Sequence, residues 1–466
     1  MTDGEMGGRI ETLQHFHFSM DPKIFKAYDI RGTYPDTINE EIAEKVGRAF
    51  VTYLGVKEVA VGRDMRVSGP ALWQAVVKGI TEQGCNVVDI GMVGTDQYYH
   101  ACATLKLPGM MVTASHNPAQ YNGFKMVREM PFLLSGSDGI PEVRDLAMKG
   151  DFPKSETVGS IRKVDLADSF TEKVLSIVDV STIKPLKVVI DTGNGMVGPA
   201  IQRLMAKIPQ VTVIPMYFDP DGTFPNHGGD PLKEENRREL QARVVSEGAD
   251  LGFAFDGDGD RFFCIDDKGR FIPGDFMTAL LAEEMLLQYP GSPIVYDCRA
   301  SWCVKDLVTA AGGKPLMNKV GHAFIKTRLR EENACFGGEI TGHYYFADFH
   351  GADSGMVPAL KVLQMISRRG QKMSELLTAL EAKYFISGEI NFTVRDQKAA
   401  VAAIKAKYTS DNVYEMDGYS VEYADWHMNV RSSNTEPLLR LNLEALSKEM
   451  MERKRDEVIA LIKTFE

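Results

Sequence analysis

The chain has 466 residues, and at about 150 residues per domain this length predicts about three domains. Its 53 lysines and arginines against 64 aspartates and glutamates give a net charge of −11, and a hydrophobic content of 44% excludes global disorder. An acidic chain without a basic tract is a poor partner for nucleic acids or anionic membrane surfaces, because both are polyanions. Any anionic ligand must therefore be bound by locally concentrated positive charge.

The N-terminal segment and the cysteines indicate a cytoplasmic protein. Residues 1–20 carry early acids and glycines without an apolar signal-peptide core, so we expect an unstructured extension ending at Met20. No run of about 18 apolar residues occurs, so we expect no membrane-spanning helix. Six cysteines without a Cys-x-x-Cys pair are typical of buried thiols in a reducing compartment, and the nine histidines form no zinc-binding array.

Apolar strand-like runs alternate with helical patterns through most of the chain, which predicts an α/β architecture. One unit recurs three times, from Val59, Val188 and Ile294: a short apolar strand, an aspartate near its end, a turn and a helix. A second apolar run that opens into a polar loop follows each unit. We therefore predict three tandem, similar α/β domains with mixed sheets and a smaller C-terminal α+β domain. The predicted ranges are 21–163, 164–269, 270–385 and 386–466.

The first polar loop is Thr113–Pro118, with the sequence Thr-Ala-Ser-His-Asn-Pro, and it follows the apolar run Met110–Val112. Ser115 leaves a strand among small neighbours and has His116 beside it. This arrangement is typical of a nucleophile, although a turn serine gives the same pattern. Lys125 follows closely enough in the chain to serve the same pocket.

The predicted second domain contains Gly193–Gly198, which reads G-x-G-x-x-G between a strand and a helix. Asp219 follows where a ribose-binding acid would stand, so this segment taken alone favours a dinucleotide site. A dinucleotide-binding module would leave the other polar loops without a role. We therefore interpret these glycines as a tight strand–helix turn.

A run of alternating aspartates and glycines, Asp256–Arg261, follows the apolar strand Leu251–Phe255. Three carboxylates at alternate positions converge when the chain curls, and the two glycines between them permit that curl. Ligation by oxygen alone selects a hard cation such as Mg²⁺. A calcium EF-hand would need glycine and glutamate where Arg261 and Asp267 stand. Arg261 instead adds a phosphate donor beside the cation.

The third polar loop, Gly338–Phe346, combines a carboxylate, a hydroxyl, an imidazole and aromatic rings. Glu339 and His343 can bind the hydroxyls of a polyhydroxylated ligand while aromatic rings cover its C–H face. An ordinary surface turn is the alternative interpretation of this segment.

The last 80 or so residues have a different pattern from the three repeats. Residues 398–408 predict an amphipathic helix, 421–433 an alternating strand, 438–446 another strand, and the end of the chain a charged helix. Between the two strands, Arg431–Pro437 offers a guanidinium group, hydroxyls, an amide and free backbone N–H groups. That composition is typical of a phosphate-binding loop.

Taken together, the loops resemble the four signature loops of the α-D-phosphohexomutases, in the family's order: Thr113–Pro118, Asp256–Arg261, Glu339–His343 and Arg431–Pro437. The resemblance extends from the segment Phe-Lys-Ala-Tyr-Asp-Ile-Arg-Gly at Phe25 to the terminal domain. This segment and Asn434 are most similar to the bacterial enzymes that act on mannose phosphates, or on both mannose and glucose phosphates. The resemblance implies four domains around a central cleft.

The resemblance also implies a reaction, in which Ser115 carries a phosphoryl group and mannose 6-phosphate and mannose 1-phosphate interconvert through a hexose 1,6-bisphosphate. It implies Mg²⁺ held by Ser115, Asp256, Asp258 and Asp260. The implied residues of the transfer site are Arg31, His116, Lys125 and Arg261. The implied substrate-binding residues are Arg299, Lys319, His322, Glu339, Thr341, His343, Arg431, Ser433, Asn434 and Thr435.

The chain departs from the common family pattern at three places. Ile340 and Thr341 stand where Met-Ser is usual, Arg299 stands where several relatives have lysine, and Ser432 replaces a frequent proline. The expected reaction class survives these changes, but the choice among mannose, glucose and glucosamine phosphates stays open. Lys125 and His343 are both candidate general bases. A metal-dependent sugar-phosphate phosphatase using the same aspartates is the alternative enzyme class, and the sequence does not indicate an oligomeric state.

Overall fold

The computed structural model describes residues 20–432 and 438–466. Residues 1–19 of the expected extension and three predicted phosphate-loop residues, Ser433, Asn434 and Thr435, lie outside the described residues. Met20, predicted to end the extension, is instead buried in an apolar cluster of the first domain. All six cysteines are buried free thiols, as their spacing predicted. Within the described residues, every helix is too short or too polar to cross a membrane.

The first sheet and its helices occupy residues 20–163. Their elements are a 3-10 helix at Pro22–Ile24, β1 (Ile30–Thr33), α1 (Glu40–Leu54), β2 (Glu58–Arg63), α2 (Gly69–Glu82), β3 (Asn86–Met92), α3 (Thr95–Leu105), β4 (Gly109–Val112), β5 (Tyr121–Glu129), β6 (Phe132–Leu133), α4 (Ile140–Lys149) and β7 (Ile161–Lys163). The strand order is β1-β5-β4-β2-β3-β7, with β6 beside β5. β4, β2, β3 and β7 are parallel, whereas β5 is antiparallel to both of its neighbours β1 and β4.

The second sheet follows in residues 167–265. Its elements are α5 (Ala167–Leu175), a 3-10 helix at Val180–Thr182, β8 (Leu186–Asp191), α6 (Val197–Met205), β9 (Val211–Met216), a 3-10 helix at Glu234–Asn236, α7 (Arg238–Glu247), β10 (Leu251–Phe255) and β11 (Phe262–Ile265). The order is β11-β10-β8-β9. β8 is parallel to both of its neighbours, and β11 is antiparallel to β10.

The third sheet lies in residues 274–381. Its elements are α8 (Gly274–Gln288), β12 (Pro293–Asp297), α9 (Trp302–Ala310), β13 (Lys314–Asn318), α10 (His322–Glu331), β14 (Phe336–Gly338), β15 (Tyr344–Phe346), β16 (Ala352–Asp353), α11 (Met356–Arg369) and α12 (Met373–Glu381). The order is β13-β12-β14-β15-β16, with β12 parallel to both neighbours and β15 antiparallel to β14 and β16.

The fourth sheet is antiparallel. Its elements are β17 (Phe385–Ile386), β18 (Ile390–Phe392), α13 (Gln397–Lys407), β19 (Asn412–Tyr414), β20 (Tyr419–Glu422), β21 (Trp426–Ser432), β22 (Leu439–Ala445) and α14 (Lys448–Lys463). The order is β17-β22-β21-β20-β19, with β18 beside β22. The prediction of one strand over 421–433 was wrong. The chain turns at Tyr423, whose N–H donates to the carbonyl of Trp426 (2.8 Å), and apolar alternation on both sides of the turn concealed it.

The first three sheets repeat one arrangement, which confirms the predicted tandem α/β domains. In each, a central strand (β2, β8 or β12) lies between two parallel neighbours, one being the next strand along the chain. The other neighbour (β4, β10 or β14) leads directly into a polar loop. Each predicted loop therefore leaves its sheet at the carboxyl end of the equivalent strand, where α/β proteins bind ligands.

The first helix shows how local sequence fixes an element. The side chain of Asn39 accepts from the N–H of Ile42 (3.1 Å) at the start of α1, and Gly55 ends the helix with a φ of 66°. Ile42, Val46 and Phe50 lie on one buried face at helical spacing.

Apolar contacts join the three α/β domains, and Ile386 in β17 of the fourth sheet packs against the same cluster. One buried cluster includes Ala60, Val188 and Ile294, from the central strands of all three sheets. The fourth sheet packs its helices around a cluster of its own, from Phe392 to Ile462. The three repeats consequently form one packed body to which the C-terminal domain is attached.

Candidate active site

The serine loop follows β4 and holds Ser115 in a left-handed conformation with a φ of 50°. Its Oγ donates to Asp256 Oδ2 (2.9 Å) and lies 3.2 Å from His116 Nδ1, and its N–H donates to Thr113 Oγ1 (2.9 Å). A non-glycine residue in this conformation costs about 1–3 kcal/mol and persists only where the surroundings enforce it. The left-handed conformation therefore lowers the stability of the fold and directs this hydroxyl at the aspartate loop.

Arg66 fixes the serine loop from beneath. This fully buried guanidinium group donates four hydrogen bonds of 2.7, 2.6, 2.8 and 2.9 Å to the backbone carbonyls of Ser115, Asn117, Pro118 and Tyr121. Asp64 supplies the counter-charge, with its Oδ2 3.2 Å from Arg66 Nε. Burial lowers the pKa of Arg66 and Asp64 opposes that shift. These four hydrogen bonds hold the backbone of the serine loop and so support the strained conformation of Ser115.

The aspartate loop curls as its glycines allow. Asp256, Asp258 and Asp260 are all buried, and their ligand atoms lie within 4.8 Å of one another. Gly259 has a φ of 78°, and a Cβ on Gly257 would lie 2.7 Å from the carbonyl of Ser115. The loop can therefore approach the serine only with glycine at that position.

The three carboxylates fit a divalent cation. Asp258 and Asp260 each have a buried Oδ1 without a hydrogen-bond partner among the described residues, while their Oδ2 atoms contact Lys125 Nζ at 2.7 and 2.6 Å. Burial and the charges of its two neighbours raise the pKa of Asp256 well above its usual range. Burial opposes ionisation of Asp258, but Lys125 outweighs it and holds that pKa below its usual range. Unpartnered carboxylate oxygens are the donors that Mg²⁺ takes.

The other predicted transfer-site residues surround this pair of loops. Arg261 Nε donates to His343 Nε2 (3.0 Å). This hydrogen bond joins the aspartate loop to the third polar loop, Gly338–Phe346, which is the predicted sugar loop. Arg31 donates to the side chain of Asn117, two residues after the serine. Burial, with the charges of Arg261 and Arg31, lowers the pKa of His116 well below its usual range. Burial and the two guanidinium groups thus disfavour the protonated form of His116.

The predicted sugar loop is held by its own carboxylate. Glu339 Oε2 accepts from the hydroxyl of Tyr345 (2.6 Å), and its Oε1 accepts from the N–H of Gly321 (3.0 Å). The N–H of Ile340 donates to Asp297 Oδ2 (3.0 Å), and Thr341 is half-buried. These contacts fix the loop's orientation.

The segment around Lys319 and His322 connects three domains. The hydroxyl of Tyr28 donates to the carbonyl of Val320 (2.9 Å), and the N–H of Val320 donates to Asp417 Oδ2 (3.1 Å). The ring of His322 lies 5.3 Å from that of Tyr28. Lys319 is exposed and lies at the edge of the group.

A second cluster of positive charge lies where the third and fourth sheets meet. Arg299 pairs with Asp297 through two hydrogen bonds of 2.9 Å and donates to Glu389 Oε2 (3.1 Å). Arg440 Nη1 donates to Glu389 Oε1 (3.1 Å), and Arg431 Nη2 lies 3.8 Å from Glu389 Oε2. Arg299 Nη2 also lies 4.0 Å from Glu339 Oε1, which connects this cluster to the sugar loop.

The glycine-rich segment of the second sheet makes a turn, as interpreted from its context. The N–H of Asn194 donates to the carbonyl of Tyr217, and that of Met196 donates to the carbonyl of Gly257, both at 2.9 Å. A Cβ on Gly198 would lie 1.9 Å from the carbonyl of Phe218. These N–H groups therefore serve the protein's own backbone and brace the aspartate loop.

Comparison with known proteins gives a consistent result. Models of the phosphoglucomutase/phosphomannomutase alpha/beta/alpha domains I, II and III match residues 22–152, 168–269 and 273–384, and that of the C-terminal domain matches 389–461. The chain belongs to the phosphoglucomutase/phosphomannomutase family. A phosphomannomutase of Salmonella montevideo is 43% identical over 448 residues, which cover 94% of this chain and 98% of the relative. A phosphomannomutase of Escherichia coli (strain K12) is 42% identical over 430 residues, covering 90% and 94%.

A solved structure of a phosphoglucomutase/phosphomannomutase family protein from Burkholderia thailandensis agrees with this assignment. It is 35% identical, superposes with a TM-score of 0.86, and the match covers 96% of this chain and 98% of that one. The family assignment thus extends over all four sheets.

Several residues of this family member escaped prediction. Asp353 Oδ2 lies 3.0 Å from His343 Nδ1, and Lys326 Nζ lies 2.6 Å from Asp353 Oδ1. Burial opposes ionisation of Asp353, but Lys326 and His343 outweigh it and keep its pKa well below the usual range. Glu389 was not predicted either, because it lies outside the four polar loops and belongs to no recognisable motif. Arg66 did have a signal, since it occupies the same position after its repeat strand as Arg299.

Proposed function

We propose that this chain is a phosphomannomutase that interconverts mannose 6-phosphate and mannose 1-phosphate through a phosphoserine and a hexose 1,6-bisphosphate. The observation that carries the proposal is Ser115, whose Oγ lies 2.9 Å from Asp256 in a left-handed, buried turn. A hydroxyl held against a carboxylate cluster, with Lys125 and Arg261 beside it, fits phosphoryl transfer, which requires positioning and charge neutralisation. The curated relatives named phosphomannomutase support the choice of mannose phosphates.

Ser115 is the proposed phosphoryl carrier. In the forward step a sugar hydroxyl attacks the phosphorus, the bond from phosphorus to Ser115 Oγ breaks, and the hydroxyl proton moves to a base. Lys125 and His343 are the candidate acceptors of that proton. Lys125 is paired with Asp258 and Asp260, and His343 accepts from Arg261 at Nε2 and faces Asp353 at Nδ1, so either group must first release a partner. Arg31, His116 and Arg261 are proposed to stabilise the charge on the transferring phosphoryl group.

Asp256, Asp258 and Asp260, with the phosphorylated Ser115, are proposed to hold Mg²⁺. When bound, the ion would neutralise phosphoryl oxygens and so lower the barrier to transfer. The residues themselves keep the site dry and fixed in shape, because all four are buried.

The sugar and its second phosphate are proposed to bind at the other loops. Glu339, Thr341 and His343 would bind hydroxyls, with Lys319 and His322 nearby. Arg299 and Arg431, with Ser433, Asn434 and Thr435, would bind the phosphate that is not reacting. The bisphosphate then turns so that its other phosphate returns to Ser115, which completes the isomerisation.

We also propose the division of the chain at 21–163, 164–269, 270–385 and 386–466, supported by four separate sheets. The domains are proposed to enclose a cleft that contains these loops. A cytoplasmic location is proposed from the six free thiols.

The proposal is tested by phosphorus NMR of the enzyme with mannose 1-phosphate, Mg²⁺ and a trace of hexose 1,6-bisphosphate. The expected result is an equilibrium mixture with mannose 6-phosphate and no accumulation of inorganic phosphate. Glucose 1-phosphate and glucosamine 1-phosphate, run in parallel, rank the substrates. Net release of phosphate without isomerisation would favour the phosphatase alternative instead.

Removal of the metal should stop the reaction reversibly. EDTA treatment is expected to reduce activity by at least about 100-fold, because three clustered carboxylates repel the phosphoryl group unless a cation neutralises them. Added Mg²⁺ should restore the rate, and an Asp258→Asn variant should need more Mg²⁺ for half-maximal activity. Activity that is indifferent to chelation would refute the metal assignment.

A further inference from the structure

Glu389 contacts all three arginines at the meeting point of the third and fourth sheets, and it is the one carboxylate of the described residues that does so. Its two oxygens each accept a hydrogen bond of 3.1 Å, one from Arg299 and one from Arg440, and Arg431 completes the group at 3.8 Å. Burial opposes its ionisation, but these guanidinium groups outweigh that effect and lower the pKa of Glu389. A carboxylate additional to those of Asp297 and Glu339 therefore stands among these cations, two of which are proposed above to bind a phosphate.

The contacts of Glu389 are unequal, and the weakest is that to Arg431. Arg299 is held independently by the two oxygens of Asp297, so it does not depend on Glu389 for its orientation. Arg431 has a buried Nε with no hydrogen-bond partner among the residues that the structure describes. Arg431 therefore has a buried donor that no described residue uses, and its ion pair with Glu389 is long. Of the three arginines, it is the one that an incoming anion can bind most easily.

We propose that Glu389 is a resident anion that competes with the substrate's distal phosphate for Arg431 and Arg299, and thereby keeps phosphate affinity at this site low. The proposal rests on the proposed mutase function and extends it. A phosphate that binds here takes up Arg431, while Glu389 remains attached to Arg440. The side chain of Glu389 retains 20% of its exposure, so solvent and ligand can reach it.

A low affinity of this site for phosphate would help the proposed reaction, because the bisphosphate has to leave the site and bind again. The bisphosphate must release its distal phosphate, turn over and bind again with its other end before the second transfer. A dianion held by Arg299 and Arg431 would leave slowly if Glu389 did not compete for them. Because like charges in a partly buried site repel each other, Glu389 shortens the lifetime of each binding orientation.

The test is the affinity of the full-length protein for inorganic phosphate, measured by calorimetry in the wild type and in Glu389→Gln. Removing the competing charge is expected to tighten phosphate binding at least about tenfold. With mannose 1-phosphate as substrate, the same variant should show a lower KM together with a lower kcat. If Glu389 only braced the arginines, its loss would weaken phosphate binding, so weaker or unchanged binding overturns the proposal.

Two further variants assign the effect to this cluster. In Glu389→Gln/Arg431→Met the gain in phosphate affinity should disappear, and a gain that survives the double change overturns the proposal. Glu422→Gln, a charge-matched change elsewhere in the same sheet, should leave phosphate affinity within twofold. If Glu389→Gln does not fold, Glu389→Asp, whose carboxylate is drawn back from the arginines, must still bind phosphate at least about threefold more tightly. Phosphate binding is measured without turnover, so failure of the wild type to isomerise sugars would be recognised separately.

Discussion

Ser115→Ala should abolish isomerisation, with a fall in kcat/KM of about 10⁴-fold or more, because no other described hydroxyl occupies the position facing Asp256. Intact-mass measurement should find a fraction of the wild-type protein carrying one additional phosphate and none of the variant doing so. The assay is conversion of mannose 1-phosphate to mannose 6-phosphate at saturating Mg²⁺.

Ser367→Ala is the matched control for this variant. Ser367 is equally buried, and its hydroxyl accepts one hydrogen bond, from the N–H of Lys184 (3.0 Å). Activity of the control within twofold of wild type would show that loss of a buried serine does not by itself stop the enzyme. If Ser115→Ala retained full activity, Ser115 could not be the phosphoryl carrier.

Arg66→Met should cause the largest loss of stability. It removes four hydrogen bonds to the serine loop and leaves the carboxylate of Asp64 buried without its counter-charge. The expected fall in the free energy of unfolding is about 3–5 kcal/mol, measured by chemical denaturation. Because Ser115 loses its support, kcat should fall as well.

The companion variant Asp64→Asn/Arg66→Met separates charge from geometry. Removing the unpaired carboxylate of Asp64 should recover about 1–3 kcal/mol of the lost free energy of unfolding without restoring kcat.

The loss of stability in Arg66→Met should also depend on pH. Burial raises the pKa of Asp64 even with Arg66 present, so in Arg66→Met the folded state binds a proton at Asp64 more tightly than the unfolded state does. The difference in free energy of unfolding between the wild type and Arg66→Met should therefore decrease as pH falls and increase as pH rises. A loss under about 1 kcal/mol with normal kcat would contradict the role assigned to Arg66.

Much of the fold was accessible from the sequence because it repeats. Apolar runs ending in polar loops predicted three equivalent sheets, and the observed parallel neighbours of β2, β8 and β12 confirm them. The strand before the aspartate loop was predicted as Leu251–Phe255 and is observed with those bounds. The C-terminal domain was harder, since a turn at Tyr423 leaves the apolar alternation of the two flanking strands intact.

The candidate site was predicted loop by loop, but not as a network. The sequence contained Ser115, Lys125 and the three aspartates as separate motifs, and the structure brings them into direct contact. Residues that act through distant partners could not be found in this way. Glu389 and Asp353 are single acids in unremarkable segments, and only tertiary contacts pair them with Arg299 and His343. The roles assigned to all of these residues remain predictions.

The aspartate at the end of each repeat strand forms the same turn in all three α/β domains. Asp64, Asp191 and Asp297 each accept at 2.9 Å from the N–H two residues further on. That second position is filled by Arg66 in the first domain and Arg299 in the third. In the middle domain it is Gly193, whose φ of 53° would strain a side chain, and a Cβ there would lie 3.0 Å from the ring of His227. The same turn is thus used in three ways: Arg66 holds the backbone of the serine loop, Arg299 pairs with Asp297 and Glu389, and Gly193 carries no side chain.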